Sequence, residues 1–388
     1  MMRTAAARLR IALVFPNCSK RGGVERVMWE AARHLSARHD VFVVASTFTS
    51  PLEKVSWRQV RQSQFHGPMS AVQFRFAARR VLNDLRPDLT ISYGGECPPG
   101  DLLVVGSVHR AWLARSGRPT LGLRRLPTWT RFLSPGNIAL LLLERSYFGS
   151  GKIKAFAPCA KQVVDDLAKY YHVSPSRNTV VNNGFDPSVF SPERRARQRL
   201  AARAGLGFLP SDFVLVMVAN EWQRKGLRVL LEALALLRDP SLRLVLVGRR
   251  APDAFTSLVD RLELGSAFTY VGPTDNVAWY HACADVFVLP TQYEAFPLAI
   301  VEALASGLPV LTTTVPGAAD LVRPGINGLL LADPSDAQGL AEMIRTVMVP
   351  ETLARLSGGA RPSVDHLTWD TLMERFETLV EGVASAGS

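Results

Sequence analysis

Two glutamates separated by seven residues, Glu294 and Glu302, bracket a strand-to-helix junction in the stretch Asp285–Glu302. The apolar run VFVL ends at Pro290, a loop carries Glu294, and Pro297 suits the first position of a helix, where its missing N–H costs nothing. A helix start offers free N–H groups at the positive end of the dipole, which suits phosphate. Carboxylates on both sides of such a start can accept hydrogen bonds from hydroxyls, one on a sugar and the other on a ribose. Such a pair makes sense if the ligand is a nucleotide diphosphate sugar. Taken alone, two glutamates are more often a loop charge and a solvated helix residue.

Three further groups lie just after apolar runs. Arg224 and Lys225, ahead of Gly226, follow Phe213–Val218, where two cations suit a diphosphate or an exposed turn. Gly22 and Gly23 follow Arg10–Phe15 with Lys20 and Arg21 beside them; the spacing is not GxGxxG, and a tight turn explains two glycines equally well. His109 comes a short turn after Leu102–Val105, and a lone histidine is usually structural. No pair of carboxylates in a DxD pattern stands beside a strand end, and no His/Asp/Cys cluster has metal-ligand spacing. No metal or other cofactor is therefore expected. Cys18, Cys97, Cys159 and Cys283 are widely spaced, as expected of reduced thiols rather than a disulfide framework.

The elements that must position these groups alternate short β-branched runs with segments of helical period. In the front half, strands are expected at Arg10–Phe15, Val41–Ala45, Leu89–Ile91, Leu102–Val105, Ile153–Phe156 and Thr179–Val181, with helices near Val24–Ala37 and Lys161–Tyr171. The order restarts with a helix at Glu193–Ala204. Strands then follow at Phe213–Val218, Arg243–Val247, Phe268–Tyr270, Val286–Leu289 and Val310–Thr312. Such alternation specifies α/β domains with doubly wound parallel sheets, because parallel strands need crossover connections. Two series divided around Asp186–Pro192 predict two Rossmann-like domains facing a cleft: residues 1–187, and residues 188–369. An amphipathic helix over 370–388 is expected to cross back to the first. Ligands in open α/β sheets sit at the carboxyl ends of strands, where these candidate residues fall.

The pattern E-x7-E after a strand, followed by ALASGLPV and TTTVPG, closely resembles the donor-site signature of retaining glycosyltransferases of family 4, which have the two-domain GT-B fold. The likeness runs from GGVER at Gly22 to NGLLL, and EWQRKG, TTTVPG and ERSYF are most similar to lipopolysaccharide core glucosyltransferases. It implies that Glu294 contacts the donor sugar, Glu302 the ribose hydroxyls, Lys225 the diphosphate, and the backbone amides of Phe296 and Leu298 the donor phosphates. Many members carry an arginine five positions before the lysine; Asn220 stands there, and Arg224 could supply the missing charge. The glycine loop at Gly22 and Gly23 would close over donor phosphates or acceptor, and His109 matches a histidine near the donor sugar. The segment Asn183–Phe190 matches the family's interdomain hinge, and Asn-Gly suits a turn. The resemblance implies no required metal: helix dipole and basic side chains balance the leaving diphosphate. Retention can use a double displacement through a carboxylate nucleophile or the front-face attack that the resemblance implies; the sequence does not choose between them, and Glu294 is assigned to positioning the sugar.

The 388-residue chain has a formal charge of +11, unevenly spread. Residues 1–187 hold 27 basic and 12 acidic side chains, and residues 188–388 hold 18 and 22. The front half thus expects an anionic partner. Six arginines lie between Arg110 and Arg131 (Arg110, Arg115, Arg118, Arg124, Arg125, Arg131), with Trp112 and Trp129 and no acid. Guanidinium with indole suits a phosphate-bearing membrane interface. Nucleic acid would fit the charge, but no binding motif accompanies it. The longest apolar run in this region, Ile138–Leu143, is far short of the roughly 20 residues of a membrane span. The expectation is a cytoplasmic protein, peripheral on the inner face of the cytoplasmic membrane. It would move a hexose from a UDP-glucose-type donor to an anionic lipid-linked or lipopolysaccharide-core-like glycan. The alternatives are a sugar-nucleotide epimerase on the same fold and a non-enzymatic nucleotide- or nucleic-acid-binding module.

Overall fold

The computed structural model describes residues 8–20, 22–61, 68–115, 120–121, 124–125, 132–249 and 253–386. The chain divides into two compact units, residues 1–183 with 369–388, and residues 184–368. The boundary falls between Asn183 and Gly184, four residues ahead of 187.

The sheet of the first unit has strands β1 (Arg10–Val14), β2 (Asp40–Ala45), β3 (Val55–Gln59), β4 (Leu89–Tyr93), β5 (Leu102–Val105) and β6 (Ala155–Pro158). All neighbours are parallel, in the order β6-β5-β4-β1-β2-β3. Ile11 pairs with Val41 on one side and Leu89 on the other, so β1 is central. Its residues Ile11–Val14 are wholly buried, as a strand covered on both faces must be. The helices are α1 (Val24–Leu35), α2 (Pro68–Leu85), α3 (His109–Arg115), α4 (Pro135–Phe148) and α5 (Lys161–Tyr171).

The second unit opens with α6 (Pro192–Gly205), whose N-cap Ser191 accepts from the Arg194 amide. Its strands are β7 (Phe213–Val218), β8 (Leu242–Val247), β9 (Phe268–Gly272), β10 (Val286–Leu289), β11 (Val310–Thr313) and β12 (Gly328–Leu331). They are again parallel, ordered β9-β8-β7-β10-β11-β12. Helices α7 (Leu227–Leu237), α8 (Asp253–Arg261), α9 (Val277–Cys283), α10 (Leu298–Ala305), α11 (Ala337–Met348) and α12 (Pro350–Ala360) complete it. Helix α13 (Trp369–Ser385) belongs to the first unit and packs on α1, with Arg33 2.7 Å from Asp370 and His34 3.1 Å from Glu377. Both sheets follow the doubly wound order in which the chain reverses between first and fourth strands, and the crevice at that reversal receives ligands.

Two expectations are corrected, and one strand has no counterpart among them. Thr179–Val181 is not a strand: the amides of Thr179 and Val181 donate to Phe156 and Pro158 of the edge strand β6, but only Asn178 forms a bridge. Pro158 has no N–H to return, so the ladder stops there. Strand β3 is read poorly from its sequence because VSWRQ is a largely exposed edge with no apolar run. Pro297 is the N-cap of α10, with extended backbone, and the helix begins at Leu298.

Candidate active site

In the second unit the site grows from the reversal between β7 and β10. Strand β7 ends in the loop 219–226, which must turn sharply into α7. Gly226 makes that turn with φ +83°, and a Cβ there would lie 2.0 Å from the Pro290 carbonyl oxygen. Only glycine brings the two loops this close. Strand β10 ends in the loop from Pro290, where Gln292 N–H and Thr291 Oγ1 both donate to the Arg224 carbonyl, at 2.9 and 3.3 Å. A third loop follows β11. Thr313 Oγ1 donates to the Thr291 carbonyl at 2.7 Å, and Gly317 (φ +88°) lies so close that a Cβ would be 2.3 Å from the Ala295 carbonyl oxygen. Thr291, Tyr293, Ala295 and Phe296 are buried, so this loop is a wall of the site rather than a tether.

The stitching brings Lys225 and Glu294 together. The Lys225 ammonium donates to the Glu294 carboxylate, and both side chains are about seven-eighths buried, at 14% and 12% exposed. Burial pulls the Lys225 pKa down, against the opposing pull of Glu294. Arg224 Nη1 lies 3.6 Å from Glu294 and donates to the Tyr293 carbonyl. Its Nε and Nη2 are gripped by Glu221, at 2.7 and 3.0 Å. Burial works against the Arg224 charge, and the Glu221 hydrogen bond with the nearby carboxylates more than reverses it, raising the pKa. That hydrogen bond in turn lowers the pKa of Glu221. Asn220, at the position of the family arginine, accepts from the Arg249 amide at 3.0 Å, so it shapes the loop after β8.

Glu302 lies partly buried one turn into α10, and the amides of Phe296 and Leu298 flank the N-cap Pro297 of the same helix. The arrangement thus offers a helix N-terminus, two cations and two carboxylates around the ends of adjacent strands. Such a set can hold a diphosphate and orient hydroxyls. Sequence reasoning missed Glu221, which orients Arg224, and the roles of Thr313 and Gly317, which are legible only once β11 is known to lie beside β10.

In the first unit, Gly22 has φ +93°, and a Cβ would lie 2.4 Å from the Glu25 carboxylate; Gly23 caps α1. Lys20 Nζ sits over the Trp29 ring at 4.6 Å, and Arg21 lies outside the described residues. His109 is the first residue of α3. Its Nε2 is 3.2 Å from Asn137 Oδ1, and its ring stacks on Trp112 with centroids 5.3 Å apart. The buried Glu144 carboxylate accepts from the amides of His109 and Arg110 and from the Tyr171 hydroxyl, anchoring the start of α3. The basic stretch is only partly a free surface. Arg115 is locked on the buried Asp166 at 2.7 and 2.6 Å, and Arg110 lies over the Tyr170 ring. Arg124–Arg125 pairs antiparallel with Thr120–Leu121, while Arg118, Trp129 and Arg131 lie outside the described residues. All four cysteines are buried. No described helix is long and apolar enough to cross a membrane.

Comparison with known proteins agrees with this architecture. The family model described as Glycosyltransferase Family 4 matches residues 21–189, and that described as Glycosyl transferases group 1 matches residues 212–349. The lipopolysaccharide glucosyltransferase WaaG of Escherichia coli K12 is 28% identical over 244 residues, 62% of this chain and 65% of its own length. A D-inositol 3-phosphate glycosyltransferase of Geodermatophilus obscurus is 33% identical over 247 residues, 58% of this chain and 52% of its own length. The chain thus spans less than two thirds of the curated relatives it matches. In three dimensions, a WaaG crystal structure superimposes with TM-score 0.83 at 23% identity, covering 95% of this chain and 99% of that one. The Anabaena HepE complex with UDP-glucose gives TM-score 0.73 at 19% identity, over 96% and 99%. With the two family models lying side by side on two parallel-sheet, Rossmann-like units, the chain belongs to the family 4-like glycosyltransferases of the GT-B fold.

Proposed function

We propose that the protein transfers a hexose from a nucleotide diphosphate sugar, of the UDP-glucose type, to an anionic lipid-linked or lipopolysaccharide-core-like glycan, with retention of anomeric configuration. The observation that carries this reading is the Lys225–Glu294 pair at the reversal of the second sheet, beside the N-terminus of α10. In this reading Lys225, Arg224 and the amides of Phe296 and Leu298 neutralise the diphosphate as it leaves. Glu294 holds sugar hydroxyls, and Glu302 the ribose. Charge develops on the leaving diphosphate, so preorganised cations and dipoles there lower the barrier most. No metal is required in this scheme; His109 is a further catalytic candidate, matching a histidine near the donor sugar, and the Gly22–Gly23 loop is a candidate for holding donor phosphates or acceptor. The names of two relatives support glucose as the sugar and a lipopolysaccharide-type acceptor: a lipopolysaccharide glucosyltransferase, and a structure solved with UDP-glucose.

Peripheral docking on an anionic membrane, at the cytoplasmic face, is part of the same reading. Helices α2 and α4 pack together and expose Met69, Phe76, Ile138 and Leu142, with the exposed Arg79, Arg80 and Arg145 on the same two helices. Apolar side chains among arginines suit insertion at headgroup depth. A thermal-shift panel of nucleotide sugars, followed by NMR of the product anomer, tests the proposal. Stabilisation by UDP-glucose and an α-linked product from an α-donor are expected. An epimerised nucleotide sugar formed without acceptor consumption overturns it.

A further inference from the structure

We propose that His39, Glu377 and Glu381 form a structural site for one divalent metal ion of the zinc class, fastening α13 to the α1–β2 corner of the first unit. This inference is independent of the proposed function. His39 lies in the short connection between α1 and β2 and is 2% exposed, yet its Nε2 has no hydrogen-bond partner. The atom that faces it, Glu377 Oε1, is also buried and also has no hydrogen-bond partner. They stand 3.7 Å apart, too far for a hydrogen bond. Metal–ligand bonds of about 2.1 Å at a tetrahedral centre put neighbouring donor atoms about 3.4 Å apart, close to this spacing.

Glu381 is one helical turn beyond Glu377 and completes the set: each of the three side chains offers a ligand atom within 4.8 Å of the other two. The second oxygen of Glu377 is already engaged, by His34 Nε2 at 3.1 Å and Arg38 Nη1 at 3.5 Å. Those contacts fix the carboxylate with Oε1 turned to His39, the supporting role that outer groups play around metal ligands. Burial lowers the His39 pKa, and Arg38 and Arg8 add to this against the pull of Glu377 and Glu381. Metal binds the neutral form of the ring. Nδ1 is 3.4 Å from the Leu9 amide, a contact at the outer limit of hydrogen bonding, which gives way when the ring proton moves to Nδ1. The set of one imidazole and two carboxylates, with water in a fourth position, suits zinc over calcium or magnesium.

The test uses the full-length protein stripped with EDTA and titrated with Zn2+ by calorimetry and with Co2+ by visible absorption. One ion per chain, a tetrahedral cobalt spectrum and a rise in Tm with Zn2+ are expected. Glu381→Gln, at a partly exposed position, keeps the circular dichroism spectrum and weakens binding at least about tenfold. His39→Gln abolishes the cobalt spectrum. Absence of binding overturns the site and leaves a bridging water between His39 and Glu377. Unchanged affinity in folded Glu381→Gln overturns it by placing the ion elsewhere.

Discussion

Lys225 and Glu294, 69 positions apart in the chain, form an ion pair that joins the loop after β7 to the loop after β10. Neither charge is buried alone, and each gives the other its orientation. Under the proposed function the pair would tie donor binding to local stability, because the loops that would grip a diphosphate are held together by the same groups.

Glu294→Gln is expected to leave the Lys225 cation buried without its counter-charge, at a cost of up to about 3 kcal/mol. Transfer from UDP-glucose should fall by about 10²-fold or more, as when one preorganised group is lost from a charge-stabilising site. Lys225→Ala should lose comparable activity. Urea denaturation with a coupled UDP-release assay measures both, and full turnover in folded variants would refute the assignment.

Gly226→Ala combines a left-handed backbone with a Cβ 2.0 Å from the Pro290 carbonyl. A loss of about 2 kcal/mol or more is expected, with lowered donor affinity as the two loops part. The control is Gly205→Ala at the end of α6, where a Cβ meets nothing within 4 Å. There the substitution should cost nothing or stabilise slightly. Chemical denaturation of the two variants side by side checks the contrast.

His281 is wholly buried against Phe190 and Phe287, 3.2 Å from Ser306 Oγ, and burial, with the Arg195 charge, pushes its pKa down to about 3. The unfolded chain therefore binds a proton below about pH 6.5 that the folded chain refuses until about pH 3. Its contribution is fully present above pH 6.5 and is lost as pH falls toward 3, with a slope of about 1.4 kcal/mol per pH unit. His281→Asn should flatten this slope in urea melts between pH 6.5 and 4.

Arg124→Ala with Arg125→Ala should weaken binding to anionic vesicles by roughly 2 kcal/mol, about thirtyfold, and less at high salt. Donor affinity should not move. Vesicle sedimentation and nucleotide-sugar calorimetry on the same protein separate the two, and an equal loss of donor affinity would refute the division of labour between the charged halves.

Much of this was legible in the residues. Strands such as β7 and β10 are continuous apolar runs because both sheet faces are covered, and such runs mark themselves. E-x7-E and Lys225–Gly226 carry the donor-site likeness because their positions follow strand ends. Edge elements were less legible: β3 is polar, and Thr179–Val181 reads as a strand until Pro158 denies it a donor.

The uneven charge, with the basic excess in residues 1–187, is a property of the sequence alone. So is the alternation that specifies two doubly wound sheets. Tertiary structure decided which charges are spent and which are shared. Arg115 is committed to Asp166, Arg224 is gripped by Glu221, and Lys225 is paired with Glu294. It also decided that His39 meets Glu377 and Glu381. The physical reason is the same in each case: spacing along a chain records periodicity within an element, while partners across elements follow from strand order and helix packing.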